Sequence, residues 1–256
     1  MISIITPTYE TNPDTLARTW NSLKNQTYTD WEWVVWDDSI TENVWQQVYG
    51  FCSDERYTIS LFRSHVHSGR IGQVKRWAAM VSTGDIIVEL DHDDELTRDA
   101  LAEIAHAFDN PNIGFAYSNW CEINERGESC RYPDGWAFGY GADYYNEEYG
   151  VWVMRAPELN ATTMSHIVSA PNHVRAWRAS VYRELGGHDP SLRVADDYDL
   201  CVRTILKTDA KHIDKLLYKQ YISERTAQRV HNAEIQKYVA IIADKYNKQI
   251  REKYAG

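Results

Sequence analysis

The most chemically loaded stretch of the chain is Leu90-Asp91-His92-Asp93-Asp94, three carboxylates in four positions behind the apolar run that begins at Ile86. Carboxylates this close repel one another, and a cleft that keeps them together calls for a compensating cation. Hard oxygen ligands at a strand end suit Mg²⁺ or Mn²⁺, which need only one or two protein carboxylates when substrate phosphates complete the shell. Solvated acids, with Asp93 or Asp94 capping the next helix, are the other reading open to this cluster by itself. A second pair, Asp37-Asp38, precedes Ser39. A carboxylate there can accept from a nucleobase N–H or from ribose hydroxyls, or it can open a turn. A third pair, Asp196-Asp197, stands at a helix start, where the dipole favours negative charge; general base and plain helix-terminal acid are both open. His231 can join carboxylates around a borderline cation such as Mn²⁺. Arg70, Lys75 and Arg76 lie just before the Asp91 cluster, where one cation can neutralise a diphosphate and the others face solvent.

These groups need a scaffold that brings distant residues together. Residues 2–6 read as a buried strand stopped by Pro7, and Leu16, Trp20 and Leu23 share one face of a helix over 14–25. Trp31–Trp36 is a second strand ending in Asp37-Asp38, followed by a helix near 42–52 and a strand near 58–63. Val74, Trp77, Ala78 and Val81 mark a helix closed by Gly84 through a positive φ. Ile86–Leu90 is the next strand; Thr97 caps a helix carrying Leu101, Ile104 and Phe108; residues 113–118 are extended. This alternation predicts an α/β fold with a mostly parallel sheet covered by helices, and ligands in such sheets bind beyond the carboxyl ends of the strands. Both acidic clusters fall there. Residues 131–160 read as an aromatic, glycine-bearing loop region, 175–185 as a helix, 196–206 as a helix, 212–222 as extended, and 232 onward as a long amphipathic helix.

Composition narrows the function classes. The chain has 256 residues, 27 Lys plus Arg and 37 Asp plus Glu, for a net charge of −10. An acidic chain without a basic run is poorly suited to gripping nucleic acid, although a metal held by carboxylates inverts the local sign. No apolar run reaches the roughly 20 residues of a membrane span. Residues 1–9 lead straight into a strand and not into a secretory signal, and the four cysteines lack C-x-x-C spacing, so free thiols in the cytoplasm are expected. Ten Trp and 17 Tyr against 5 Phe supply rings with an apolar face and a polar edge, which suits sugars as well as a core.

Ile4-Ile-Thr-Pro-Thr-Tyr9, Val34-Val-Trp-Asp-Asp-Ser39, Gly84-Asp-Ile-Ile-Val-Glu-Leu-Asp-His-Asp-Asp94 and Gly187-His-Asp-Pro-Ser-Leu-Arg-Val-Ala-Asp-Asp-Tyr-Asp-Leu200 resemble, in order and spacing, the family 2 glycosyltransferases of the GT-A fold. The match runs from residue 2 to about 206, and His231 extends it. The resemblance implies a Rossmann-like nucleotide-binding half over 1–120, an acceptor and catalytic-base half over 121–222, and a helical segment over 223–256, in one domain. It implies inverting transfer of a sugar from a nucleotide-diphosphate donor, UDP-type favoured, to a hydroxyl of a glycan or glycosylated acceptor. Thr6, Pro7, Asp37, Asp38 and Arg70 would line the nucleotide. Asp91-His92-Asp93 matches the D-x-D motif: Asp91 would reach the ribose or the metal, and Asp93 would bind Mn²⁺ or Mg²⁺, with Asp94 as helper and His231 completing the ligands. Asp197 falls on the second acidic position of the E-D motif and would be the base. The first position is Asp196 here instead of Glu, so either of the pair can face the acceptor. Val74-Lys75-Arg76 stands where the family often has Ala-Arg-Asn. Trp136 and Tyr140, together with Asn172 and His173, are the expected acceptor residues. A catalytically silent binding module on the same fold and a Mg²⁺-dependent nucleotidyltransferase are the competing readings. The first has no use for Asp197, and the second calls for a glycine-rich phosphate loop where Thr6-Pro-Thr-Tyr-Glu10 stands.

Overall fold

The computed structural model of the chain describes residues 1–166, 171–223 and 230–255. Strands β1 (Ile2–Thr8), β2 (Trp31–Asp37), β3 (Thr58–Arg63) and β4 (Ile86–Glu89) alternate with helices α1 (Pro13–Lys24), α2 (Asn43–Phe51) and α3 (Ile71–Val81). Then come β5 (Glu95–Leu96), α4 (Ala100–Ala107), β6 (Ile113–Ile123), β7 (Ala142–Asn146), β8 (Val151–Arg155) and α5 (Ala161–His166). The remainder is β9 (Arg175–Arg178), α6 (Ala179–Glu184), α7 (Asp196–Lys207), β10 (Asp209–Tyr221) and α8 (Asn232–Lys253). Along the main path the sheet runs β3-β2-β1-β4-β9-β6-β10-β5, with β8 pairing β6 and β7 pairing β8. The pairs β2–β3, β1–β2, β1–β4 and β6–β10 are parallel, and β9 is antiparallel to both its neighbours.

The elements follow from local rules. Asn12 caps α1 by accepting from the Asp14 N–H, Pro13 opens the helix, and Leu16, Trp20 and Leu23 turn into the core. Trp20 stacks on Trp33 at 5.3 Å, and Trp31, Phe51 and Tyr57 close around it, so much of the indole content is packing. Val239 and Ile242 of α8 are buried in a second cluster with Val202 and Ile205 of α7 and Met164 of α5.

Five local expectations are corrected. Strand β1 continues through Pro7, because Leu90 N donates to Ile5 O while Asp38 N donates to Thr8 O. Odd positions of β1 therefore face β4, which ends before Pro7, and the missing N–H costs the ladder nothing. Gly84 does not cap α3 through a positive φ. A Cβ there would lie 2.6 Å from Ser3 Oγ, 2.8 Å from Ser3 N and 2.9 Å from Met1 O, so what it provides is clearance against β1. The Thr97 hydroxyl donates to Leu216 O and ties β5 to β10; it does not cap α4. Within residues 131–160 lies the β7–β8 hairpin. Residues 175–178 are strand, and the helix begins only at Ala179.

The amino ends of β1, β2 and β4 are locked by one buried carboxylate. Glu32 accepts from Ser3 Oγ at 2.6 Å, Thr83 N at 2.6 Å and Thr83 Oγ at 2.9 Å, and Ser3 Oγ also receives the Gly84 N–H at 2.8 Å. Gly84→Ala pushes a methyl group into this junction. It should cost about 1–3 kcal/mol by overpacking, read as a lower midpoint in thermal unfolding with the far-ultraviolet spectrum unchanged.

Candidate active site

Because β1, β2 and β4 run parallel, the segments after them meet along one edge. After β2, Asp37 is fully buried: its Oδ1 accepts from Thr8 Oγ at 3.1 Å and from Ser39 N at 3.0 Å. Its Oδ2 has no hydrogen-bond partner among the described residues, with Arg63 Nε 3.8 Å away. Asp38 holds the segment that leads to α3, accepting from Ser68 N, Ser68 Oγ and Gly69 N, with His67 Nδ1 at 2.9 Å. The expected nucleotide contacts thus divide. The Thr6 hydroxyl points into the core and accepts from the Trp33 indole at 2.9 Å. Pro7 is buried, and Arg70 reaches across to the Pro190 carbonyl. Tyr9, which the motif reading passed over, is 45% exposed beside this edge, and its ring stacks on His67 at 4.5 Å.

After β4 the chain delivers its acids. Asp91, Asp94 and His173 each offer one ligand atom, all within 4.8 Å of one another. Burial alone raises the Asp91 carboxyl, but Lys75, with Nζ 3.0 Å from Asp91 Oδ1, outweighs it and brings the group down to about 2. Asp94 is pushed well above the carboxylate range by burial and then by the charges of Asp93 and Asp91, even though Tyr218 Oη and Tyr221 N donate to it. Asp93 is raised by burial, with the Asp91 charge adding to the shift. Burial, with the nearby Arg175 charge adding, drops His173 to about 3; its ring stacks on Tyr218 at 4.3 Å, and its Nδ1 is buried without a hydrogen-bond partner among the described residues. A neutral imidazole with an unpaired nitrogen beside repelling carboxylates is a donor set that fits a borderline or hard divalent cation. His173, an expected acceptor residue, lies beside Asp91 and Asp94. His231 stands at the start of α8 with Nδ1 4.0 Å from Glu234 Oε2.

The third acidic pair resolves into two different groups. Asp196 is turned inward, its side chain 6% exposed, and its Oδ2 lies 2.7 Å from His188 Nδ1. It packs over Gly72 in the first turn of α3, where a Cβ would come within 2.3 Å of Asp196 Oδ2. Asp197 is turned outward: its side chain is 40% exposed and accepts from Arg175 Nη1 at 2.8 Å. Ala195, just before them, has φ of 58°, left-handed backbone that costs a residue with a Cβ about 1–2 kcal/mol. Such strain is tolerated where the surroundings over-determine the conformation. Between the Asp91 and Asp197 sites sits Glu89, 1% exposed, within 3.4 Å of Lys75 Nζ, 3.0 Å of Arg175 Nη2 and 2.7 Å of His188 Nε2. Burial raises Glu89, yet Lys75, Arg175 and His188 together hold it well below the usual range, so it is ionised.

The acceptor residues separate likewise. Trp136 is half-buried against Trp120 and Tyr132, whereas Tyr140 is 45% exposed and Phe138, between them in a 3₁₀ turn, is 76% exposed. Asn172 bonds Gln220 at 3.3 Å. Sequence reasoning missed Glu89, Arg175 and His188 altogether; the usable signal for the first was one acid inside an otherwise apolar strand.

The sequence profile described as Glycosyl transferase family 2 matches residues 3–184. The chain is 25% identical over 227 residues to the uncharacterized protein y4gI of Sinorhizobium fredii, covering 85% of this chain and 22% of that protein. It is 32% identical over 124 residues to the Escherichia coli UDP-Glc:alpha-D-GlcNAc-diphosphoundecaprenol beta-1,3-glucosyltransferase WfgD, covering 48% of this chain and 47% of that one. The chain spans less than half the length of the curated relatives it matches. Staphylococcal (S. aureus) TarS 1–349 in complex with UDP-GlcNAc superposes with a TM-score of 0.68 at 18% identity, over 94% of this chain and 66% of that one. Mannosyltransferase PcManGT from Pyrobaculum calidifontis, in complex with GDP-Man and Mn²⁺, does so with a TM-score of 0.63 at 17% identity, over 99% of this chain and 72% of that one. The shape is that of the GT-A glycosyltransferases, a mostly parallel sheet flanked by helices. With the family profile spanning the strand-end acids and the sheet that gathers them, the chain belongs to glycosyl transferase family 2.

Proposed function

We propose that the protein transfers a sugar, with inversion, from a nucleotide-diphosphate sugar to an acceptor hydroxyl, and that Asp197 is the base. The observation that carries this reading is the outward Asp197 carboxylate, gripped from behind by Arg175 and joined through Glu89 and Lys75 to Asp91. UDP-GlcNAc in TarS and GDP-Man in PcManGT support a nucleotide-diphosphate donor along the β1–β2–β4 edge, and the TarS complex favours a UDP-type one.

Burial opposes ionisation of Asp197, and Arg175 more than offsets it, so the carboxyl lies below its ordinary value and is charged at neutral pH. A charged carboxylate at the mouth can take the acceptor proton as the new bond to the anomeric carbon forms. Arg175 donates to Oδ2 and the Tyr198 N–H to Oδ1, while the exposed side of the carboxylate stays open to the acceptor. Asp91 and Asp93, with Asp94 and His173 behind them, would hold Mn²⁺ or Mg²⁺. Once bound, such an ion offsets charge developing on the leaving diphosphate. Lys75 keeps Asp91 ionised for that task. Tyr140 and Phe138, in the stretch expected to meet the acceptor, are exposed rings whose apolar faces suit a sugar.

Three measurements bear on this. With the donor identified by screening UDP- and GDP-sugars, Asp197→Asn should lower kcat by about 10²–10⁴-fold and leave the donor KM nearly unchanged, while near-normal turnover removes Asp197 as base. UDP and Mn²⁺ together should raise the melting temperature more than the sum of their separate effects. Asp91→Asn should abolish that surplus; a surplus that survives places the ion elsewhere. Tyr140→Ala should raise the acceptor KM several-fold at constant donor KM, whereas Trp136→Ala should act through stability, seen as a lower unfolding midpoint.

A further inference from the structure

The His188 imidazole, fully buried, has a carboxylate oxygen 2.7 Å from each ring nitrogen: Asp196 Oδ2 at Nδ1 and Glu89 Oε1 at Nε2. Two ionised carboxylates leave a neutral ring with one nitrogen facing an oxygen lone pair to lone pair, a conflict that protons on both nitrogens remove. Other charged and titratable groups among the described residues lie next to the ring or its partners. Lys75 and Arg175 reach the other side of Glu89, Arg203 donates to the Gly187 carbonyl, and the Tyr182 ring packs at 6.1 Å with its hydroxyl raised far out of range by burial.

We propose that His188, as an imidazolium, is a positioning residue for the Asp197 base. This rests on the assignment of Asp197 made above. Its Nδ1–H holds Asp196 turned into the core, which leaves Asp197 as the acid of the pair that faces the cleft. Its Nε2–H holds one oxygen of Glu89 and thereby aims the other at Arg175, whose Nη1 fixes Asp197. One ring thus decides which of two adjacent aspartates is presented and how the presented one is oriented. Burial lowers the basicity of the ring, but Glu89 and Asp196 reverse this and bring it up to about 9. A folded value above the ordinary 6.5 means the ring stabilises the fold fully below pH 6.5, and this contribution fades as pH rises through about 9.

The test has one arm without turnover and one with it. Long-range ¹H–¹⁵N spectra of the full chain at pH 7.5 should show His188 with both nitrogens protonated, and the melting-temperature gap between wild type and His188→Gln should narrow as pH rises from 6.5 to about 9. In transfer assays wild-type kcat should fall as pH rises through about 9, whereas His188→Gln should have kcat at least tenfold lower, donor KM within about threefold, and no such alkaline fall. A purely structural histidine would not remove that limb. A neutral His188 at pH 7.5, or wild-type kcat in His188→Gln, overturns the positioning role and leaves the glycosyltransferase reading standing. Normal turnover of Asp197→Asn beside an intact imidazolium signal instead overturns the base assignment, and the positioning role with it.

Discussion

Everything at the carboxyl edge of the sheet depends on keeping one ionised carboxylate, Glu89, out of water. Burying a lone carboxylate costs several kcal/mol even after relaxation, and removing one partner of a buried pair typically costs about 3–5 kcal/mol. Glu89 is tolerable because Lys75 from α3, Arg175 from β9 and His188 from the segment after α6 converge on its two oxygens. Those elements are distant in sequence, so the electrostatic requirement is also a requirement on architecture. Helix α3, strand β9 and the approach to α7 must pack where their cations reach β4. Apolar contacts could hold the same elements near one another, but with less constraint on the angle of each side chain.

The same arrangement bears on the proposed diphosphate site in a chain with net charge −10. Below the edge, three cations are spent on Glu89, Asp91, Asp196 and Asp197, which leaves one negative charge in excess. Above it, Asp93 and Asp94 have no lysine or arginine partner comparable to Lys75 among the described residues, and both carboxyls rise while Asp91 falls. Neighbouring acids on one short turn are thus split by their distance from a single ammonium group. The unbalanced remainder is what a divalent ion would neutralise, and an ion there carries positive charge outward, to where anionic oxygens of a ligand would lie.

The repeating part of this design was legible from periodicity. The sequence pattern located β1 to β4, α1 and α2 within a residue or two of their observed ends and α3 within about three, helped by β1, β2 and β4, which are buried on both faces and read as plain apolar runs. The acidic clusters were visible because acids at strand ends contrast with those runs. Strand β9 was not: Arg-Ala-Trp-Arg is four residues long, merges into α6, and owes its conformation to pairing with β4 and β6 far away in the chain. The inward turn of the Thr6 hydroxyl was not legible because the motif fixes its residue type and not the direction of its side chain, and the indole of Trp33 claims it. His188 and Arg175 carry no local signature, since their meaning lies in Glu89, about a hundred positions away, and only the folded sheet supplies that neighbour.

The reversed direction of β9 is what lets these parts act as one site. A wholly parallel sheet brings only carboxyl ends of strands to its working edge. Strand β9 runs the other way between β4 and β6, so its first residue, Arg175, and His173 before it arrive at the edge where β4 ends. His173 then sits against the acids after β4, and Arg175 spans from Glu89 to Asp197. The separation between the acids after β4 and the outward aspartate is consequently set by a strand pairing and by charged contacts, not by the drift of loops. Reactions that join two bound partners gain most when the groups acting on each are held at a constant distance. A sheet register, which cannot shift by less than a whole residue step, is a stiff means of holding it.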